Sequence, residues 1–260
     1  MAGTVRAEKE GPIGWLVFDH PERRNAISAR MWEEIPEAIE RLAEDEEIRV
    51  IVLRGAGEKA FVSGADVSEF SGDPLGPGAD QYAGRAVAAL EAIAGVDKPV
   101  MAMIHGFCFG GGVALAVRAD LRYAADDARF CIPAARLGVG YHWAMLEPLI
   151  AAVGESMAKE ILFTARRYDA GEALRMGLVN AVFPKAELER SVRMLAGEIA
   201  DNAPLTVRTV KRVARELARP PAERSYEAIE ASLRACFESE DYREGVAAFL
   251  EKRRPRFRGR

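Results

Sequence analysis

Two glycine-bearing segments, Ala60–Asp66 (AFVSGAD) and Gly110–Gly112, could do chemistry with their backbones alone. Gly64 admits positive φ, and its small neighbours let a ligand lie directly on the main chain. That turn can aim the N–H of Ala65 at a carbonyl oxygen, although an ordinary tight turn would use the same residues. Gly110–Gly112 precede a helical pattern, and the unpaired N–H groups and partial positive charge of a helix N-terminus suit a developing oxyanion. No Lys-Ser or Lys-Thr follows, so this is not a phosphate loop, and the spacing departs from the dinucleotide fingerprint. Close packing of a helix on its strand is the alternative reason for the glycines. Taken together the two turns say more. One N–H from each of two turns is how an oxyanion hole is assembled, and each donor contributes roughly 2.7–4 kcal/mol of transition-state stabilisation.

These turns need strands and helices to hold them. Ile13–Phe18 (IGWLVF), Val50–Leu53 (VIVL) and Val100–Ile104 (VMAMI) are short apolar runs bounded by breakers, and they predict buried strands. Met31, Ile35, Ile39 and Leu42 recur at helical spacing behind Ser28, an N-cap residue type. Gly72–Gly78 reads as a loop leading into a helix over about 80–93, and Val113–Val117 as a helix after the three glycines. Leu121–Ala124 and Arg129–Ile132 read as further strands. From Trp143 onward helices dominate, with a strand expected only at Val179–Phe183. Alternation first and helices later predict an α/β core with a helical C-terminal appendage.

The whole chain narrows the function classes. Its 260 residues allow one sizeable core, and a net charge of −4 offers no global field for nucleic acid. The basic run Lys252, Arg253, Arg254, Arg256, Arg258 and Arg260 is either a solvated tail or a seat for phosphates. Cys108, Cys131 and Cys236 lack paired spacing, which fits a reducing, cytoplasmic setting. Met1–Gly11 has no apolar leader pattern, and no apolar run reaches the ~18 residues of a membrane span. Scattered histidines and lone cysteines suggest no metal site.

Beyond these readings, the chain resembles the crotonase superfamily, also called the enoyl-CoA hydratase/isomerase family. The resemblance runs through Pro21–Ile27 (PERRNAI), Lys59–Asp66 (KAFVSGAD) and Lys98–Gly112 (KPVMAMIHGFCFGGG). It continues in Ala170–Asn180 (AGEALRMGLVN), Asn202–Lys211 and Tyr242–Arg253 (YREGVAAFLEKR). It implies an α/β fold, a crotonase-like spiral of ββα units over 1–195, and a helical C-terminal oligomerisation segment over 196–260. It also implies a trimer or a dimer of trimers. Leu233, Phe237, Val246 and Phe249 would suit such an interface, or would pack back on the chain's own core. The oxyanion donors fall on Ala65 and Gly111. The substrate, an acyl-CoA thioester that brings its own coenzyme A, would lie against Arg24, Ala26, Ser63, Asp66 and Val67, with Phe249 and Lys252, often from a neighbouring subunit, helping to hold it. No separate cofactor, nucleic acid or membrane is implied.

The pattern breaks where family hydratases place two glutamates; the matching positions here are Ala114 and Ala134. Alanine exchanges no proton, so a two-glutamate hydration is excluded on this alignment. Proton work would then fall to Leu137–Trp143 (LGVGYHW). Tyr141 matches a tyrosine of family members that decarboxylate methylmalonyl-CoA. His142 matches an aspartate position of dienoyl-CoA isomerases and of an aromatic acyl-CoA dehalogenase. Packing at a helix start would also explain a Tyr-His-Trp cluster. His105 is expected to support the glycine loop, and His20 to sit in a turn. Asp66, Glu69 and Glu147 are further carboxylates, expected to be solvated or structural. Hydration, isomerisation, decarboxylation, thioester hydrolysis and non-catalytic acyl-CoA binding all stay open.

Overall fold

Side chains on successive residues of a strand point to opposite faces, and here that alternation feeds two separate cores. A computed structural model describes residues 3–66 and 77–260. Val67 and Glu69 lie outside the described residues. The hairpin β1 (Thr4–Glu10) and β2 (Ile13–Asp19) is extended by parallel strands β3 (Val50–Gly55), β5 (Val100–Ile104), β7 (Leu121–Ala125) and β10 (Ala181–Phe183). Leu16, Phe18, Ile51, Leu53, Ala102 and Ile104 face the larger core. Trp15, Val17, Val50, Val52, Met101 and Met103 face the other, where Leu188 and Val192 of α8 (Lys185–Ala200) cover them.

A second sheet contains β4 (Ala60–Val62), β6 (Phe107–Phe109), β8 (Arg129–Cys131) and β9 (Tyr168–Asp169), in that order. With α2 (Pro77–Gly95), α3 (Gly111–Arg118) and α4 (Ala134–Leu137), the repeating unit becomes plain. In β3-β4-α2, β5-β6-α3 and β7-β8-α4, the first strand joins the large sheet, the second joins the small one, and a helix follows. This is the expected spiral. The sequence reading lacked β1, β4, β6 and β9. β1 is a charged edge strand with no apolar run, and the other three are only two or three residues long.

α1 (Ala29–Glu44) starts where Ser28 was expected to cap it: Ser28 Oγ accepts from Met31 N at 3.2 Å. Met31, Ile35, Ile39 and Leu42 are buried, and so is Trp32. After α5 (Trp143–Val153), α6 (Glu155–Thr164) and α7 (Ala170–Arg175), the helices α9 (Pro204–Ala218), α10 (Tyr226–Glu238) and α11 (Glu240–Leu250) complete the chain. Position 195 falls inside α8; the first break after it is at 201–203. Leu233, Phe237, Val246 and Phe249 are exposed rather than folded back on the core, Phe249 at 84%. The basic tail turns back on α11. Arg253 pairs with Glu244 and Glu251, Arg260 pairs with Glu240, and the Arg258 and Gly259 N–H groups donate to Asp241. Among the described residues no helix is long and apolar enough to cross a membrane.

Candidate active site

β4 and β6 are parallel neighbours, so both chains leave the small sheet at the same end. β4 runs into Ser63-Gly64-Ala65, and β6 into Gly110-Gly111. Gly64 takes φ +110° and Gly110 φ +51°, values that a side chain would strain. A Cβ built on Gly110 would come within 3.8 Å of Gly64 Cα, so the turns touch. Gly110 N donates to Cys131 O at 2.8 Å, tying its turn to β8.

The other side of the Ala65 turn is held by residues 23–27. Ile27 N donates to Gly64 O (2.8 Å), and Asp66 N donates to Ile27 O (2.9 Å). In extended backbone successive N–H groups point to opposite sides, so the Ala65 N–H faces away from Ile27. Gly111 is the first residue of α3, where an N–H has no partner inside the helix. Neither the Ala65 nor the Gly111 N–H donates to any group among the described residues.

The segment 20–25 is rigid because Asn25 wires it. Asn25 Oδ1 accepts from His20 N (2.9 Å), and Nδ2 donates to Ala56 O (2.9 Å) and Ala60 O (2.8 Å). These bonds sustain left-handed φ of 54° at both Arg24 and Asn25. Arg24 is exposed and lies over the Phe107 ring at 4.8 Å. Ser63 N donates to Arg24 O at 3.1 Å, and Ser63 Oγ bonds Arg23 O at 3.3 Å. The structure therefore gathers Arg24, Ala26, Ser63, Ala65 and Asp66. Asp66 is buried, and Arg23 grips both its oxygens, at 2.9 and 3.1 Å. It is a structural ion pair. Phe249, near the end of α11, and Lys252, just past it, stand apart from this group; α11 packs on α10.

Ala114 lies fully buried one turn into α3, and Ala134 opens α4. Tyr141 packs on the same core as Ala114 and Cys108, and its hydroxyl is buried with no partner among the described residues. Burial, with the nearby Cys108 thiol second, pushes the Tyr141 phenol well above its ordinary range. Proton exchange near neutral pH needs a lowered phenol pKa, and the direction is the opposite. A phenol shifted in that direction keeps its proton. Cys108, raised by burial, also stays a thiol.

His142 is the N-cap of α5. Its Nδ1 accepts from Ala144 N at 3.2 Å, which places the proton of the neutral ring on Nε2. The ring leans on Trp143, with centroids 5.4 Å apart. His105 is buried behind the Gly106 turn, and His20 ends β2 at a 3₁₀ turn. Glu147 is exposed. Sequence reasoning missed Trp32 and Tyr82. Trp32 follows directly on the helical stripe residue Met31, but nothing in the letters links it to Tyr82 or to Gly111. The large cavity of about 1010 Å³ beside Glu46, Arg49, Asp97, Arg208 and Arg258 touches none of these residues. Its lining includes neither Ala65 nor Gly111. Among the described residues no cluster of His, Cys, Asp or Glu could hold a metal ion.

A ββα spiral with paired strand-end glycine turns defines a crotonase-type α/β protein. The profile of the enoyl-CoA hydratase/isomerase family matches residues 8–260, and the chain belongs to that family. It is similar to the carnitinyl-CoA dehydratase of Citrobacter koseri, with 36% identity over 264 residues and 100% of each chain covered. The short-chain-enoyl-CoA hydratase of Clostridium acetobutylicum is 34% identical over 257 residues, covering 96% of each. The solved enoyl-CoA hydratase/carnithine racemase of Magnetospirillum magneticum matches with a TM-score of 0.93 at 34% identity, covering 100% of this chain and 97% of that one.

Proposed function

We propose that the chain binds an acyl-CoA thioester and stabilises its enolate, with the Ala65 and Gly111 N–H groups donating to the thioester oxygen. The observation that carries this reading is the pair of unspent N–H groups on touching turns at the end of parallel strands. Fixed donors in a water-poor site stabilise developing charge without reorganising. Arg24, Ala26 and Ser63, beside the Ala65 turn, form the seat proposed for the coenzyme A moiety. Related proteins named as dehydratases and hydratases support CoA-thioester chemistry. The exposed apolar residues of α10 and α11 support a homo-oligomer, a trimer or a dimer of trimers.

What completes the reaction is decided by the groups near the turns. If Ala114 and Ala134 hold the positions of the hydratase glutamates, no carboxylate is there to activate water. Decarboxylation of a malonyl-type thioester needs none. The electron pair of the breaking C–C bond moves into the Cα–carbonyl bond and onto the thioester oxygen, CO₂ departs, and Cα takes a proton supplied ultimately by water. A protonated Tyr141 hydroxyl with no partner among the described residues favours this second reading, because it can hydrogen-bond the departing carboxylate or the enolate.

The test offers crotonyl-CoA, methylmalonyl-CoA and a saturated acyl-CoA to the purified protein and follows products by mass. Loss of CO₂ from methylmalonyl-CoA is the expected result. Hydration of crotonyl-CoA alone would overturn the decarboxylase reading. Tight binding with no product from any would make this an acyl-CoA-binding protein.

A further inference from the structure

We infer that Trp32 and Tyr82 are positioning residues that brace the Ala65 and Gly111 donors against each other, an inference that rests on the oxyanion reading of those two groups. The need for a brace comes from the ladder itself. β4 and β6 pair at Ala60↔Phe107 and Val62↔Cys108, and both donors lie beyond the last of these pairs. Strand pairing alone therefore does not fix their separation.

A continuous path through side chains does. Trp32, on α1, is 1% exposed, and its Cζ2 lies 3.2 Å from where a Cβ of Gly111 would sit. The indole edge thus lies directly against the first residue of α3. The same ring meets Tyr82 of α2 edge-on, with centroids 6.4 Å apart and planes at 88°. Tyr82 Oη donates to Ile27 O at 3.1 Å. Ile27 in turn is the residue that bonds Gly64 and Asp66 on either side of Ala65. Gly111, Trp32, Tyr82, Ile27 and Ala65 form one chain of contacts from one donor to the other.

Trp32 Nε1 is buried and has no acceptor among the described residues. Buried polar groups are nearly always paired; what the structure shows holding this ring is its fit in the core and its edge contact with Tyr82. Small displacements of catalytic groups carry large rate effects, on the order of a hundredfold per ångström, so loosening either link reaches the chemistry.

The experiment uses butyryl-CoA carrying ¹³C at the thioester carbonyl, bound to the full-length protein and read by infrared difference spectroscopy. In the wild type the carbonyl band moves to lower wavenumber on binding. In Tyr82→Phe, which deletes one hydroxyl, and in Trp32→Phe, the band moves back towards that of free butyryl-CoA while Kd stays within about twofold. Turnover of whichever panel substrate reacts falls by roughly tenfold to a hundredfold. A band in both variants identical to the wild type overturns the brace and leaves the oxyanion reading standing. So does a Kd that weakens in step with the band, which would mark general damage to binding. No shift in the wild type overturns the oxyanion reading itself. If Trp32→Phe fails to fold, Tyr82→Phe decides.

Discussion

Gly112→Ala puts the geometry of the site under direct strain. A Cβ at Gly112 would lie 2.3 Å from Val62 O and 3.0 Å from Val62 Cβ, against an ordinary contact of 3.4–4 Å. Val62 is the last residue of β4, and its backbone oxygen cannot rotate away. The N-terminus of α3 must therefore move off β4 by roughly 1 Å, taking Gly111 with it, and displacements of that size cost about a hundredfold in rate. Overpacking of this kind also destabilises by about 1–3 kcal/mol, or roughly 2–4 °C of Tm per kcal/mol in a chain of this size. Gly197→Ala, in the last turn of α8 with nothing within 4 Å of the new Cβ, is the control. It should leave kcat unchanged and gain up to about 1 kcal/mol from helix propensity. Steady-state kinetics on the reacting substrate, with melting curves for both variants, make the comparison. Wild-type kcat in Gly112→Ala would refute the argument that α3 must sit this close to β4 for Gly111 to work.

Tyr141→Phe removes a hydroxyl that has no partner among the described residues. Its Tm should hold or rise, since an unsatisfied buried polar group costs about 1–3 kcal/mol, while decarboxylation of methylmalonyl-CoA falls; a drop in Tm would mean that the hydroxyl is paired after all. His142→Ala should cost about 1 kcal/mol through loss of the α5 cap, and His142→Asn should restore it; equal melting temperatures for the two would contradict the capping role. Burial, only partly offset by Asp127, holds the His105 imidazole below its ordinary value of 6.5. The unfolded chain then binds the extra proton first, so stability is full above about pH 6.5 and is lost as pH falls from there towards the folded pKa. Urea denaturation from pH 7 to 5 should show a shallower acid loss in His105→Gln than in the wild type.

Much of this was legible in the letters. Ser28 announced α1 because a hydroxyl ahead of an apolar 3–4 stripe has one good use, and the buried parallel strands were continuous apolar runs. The glycines of both turns were visible as a conformational cost in need of a reason. β4 and β6 escaped because three residues are too few to display a period, and their pairing depends on segments about 45 residues apart. The role of His142 was hidden for a different reason. Its Nδ1 accepts from its own helix only once Leu137–Trp143 has adopted its backbone. Tyr141 could be named but not characterised, since burial beside Cys108 is a tertiary fact and reverses the pKa direction that proton exchange requires. Trp32 and Tyr82 lie on different helices, and no local pattern couples them.

The central claim is tested most directly by a crystal structure of the wild-type chain with a non-reacting acyl-CoA bound. The account predicts the thioester oxygen within about 2.7–3.1 Å of both the Ala65 and Gly111 nitrogens. A thioester oxygen that touches neither nitrogen, or a coenzyme A seated away from Arg24 and Ser63, would contradict it.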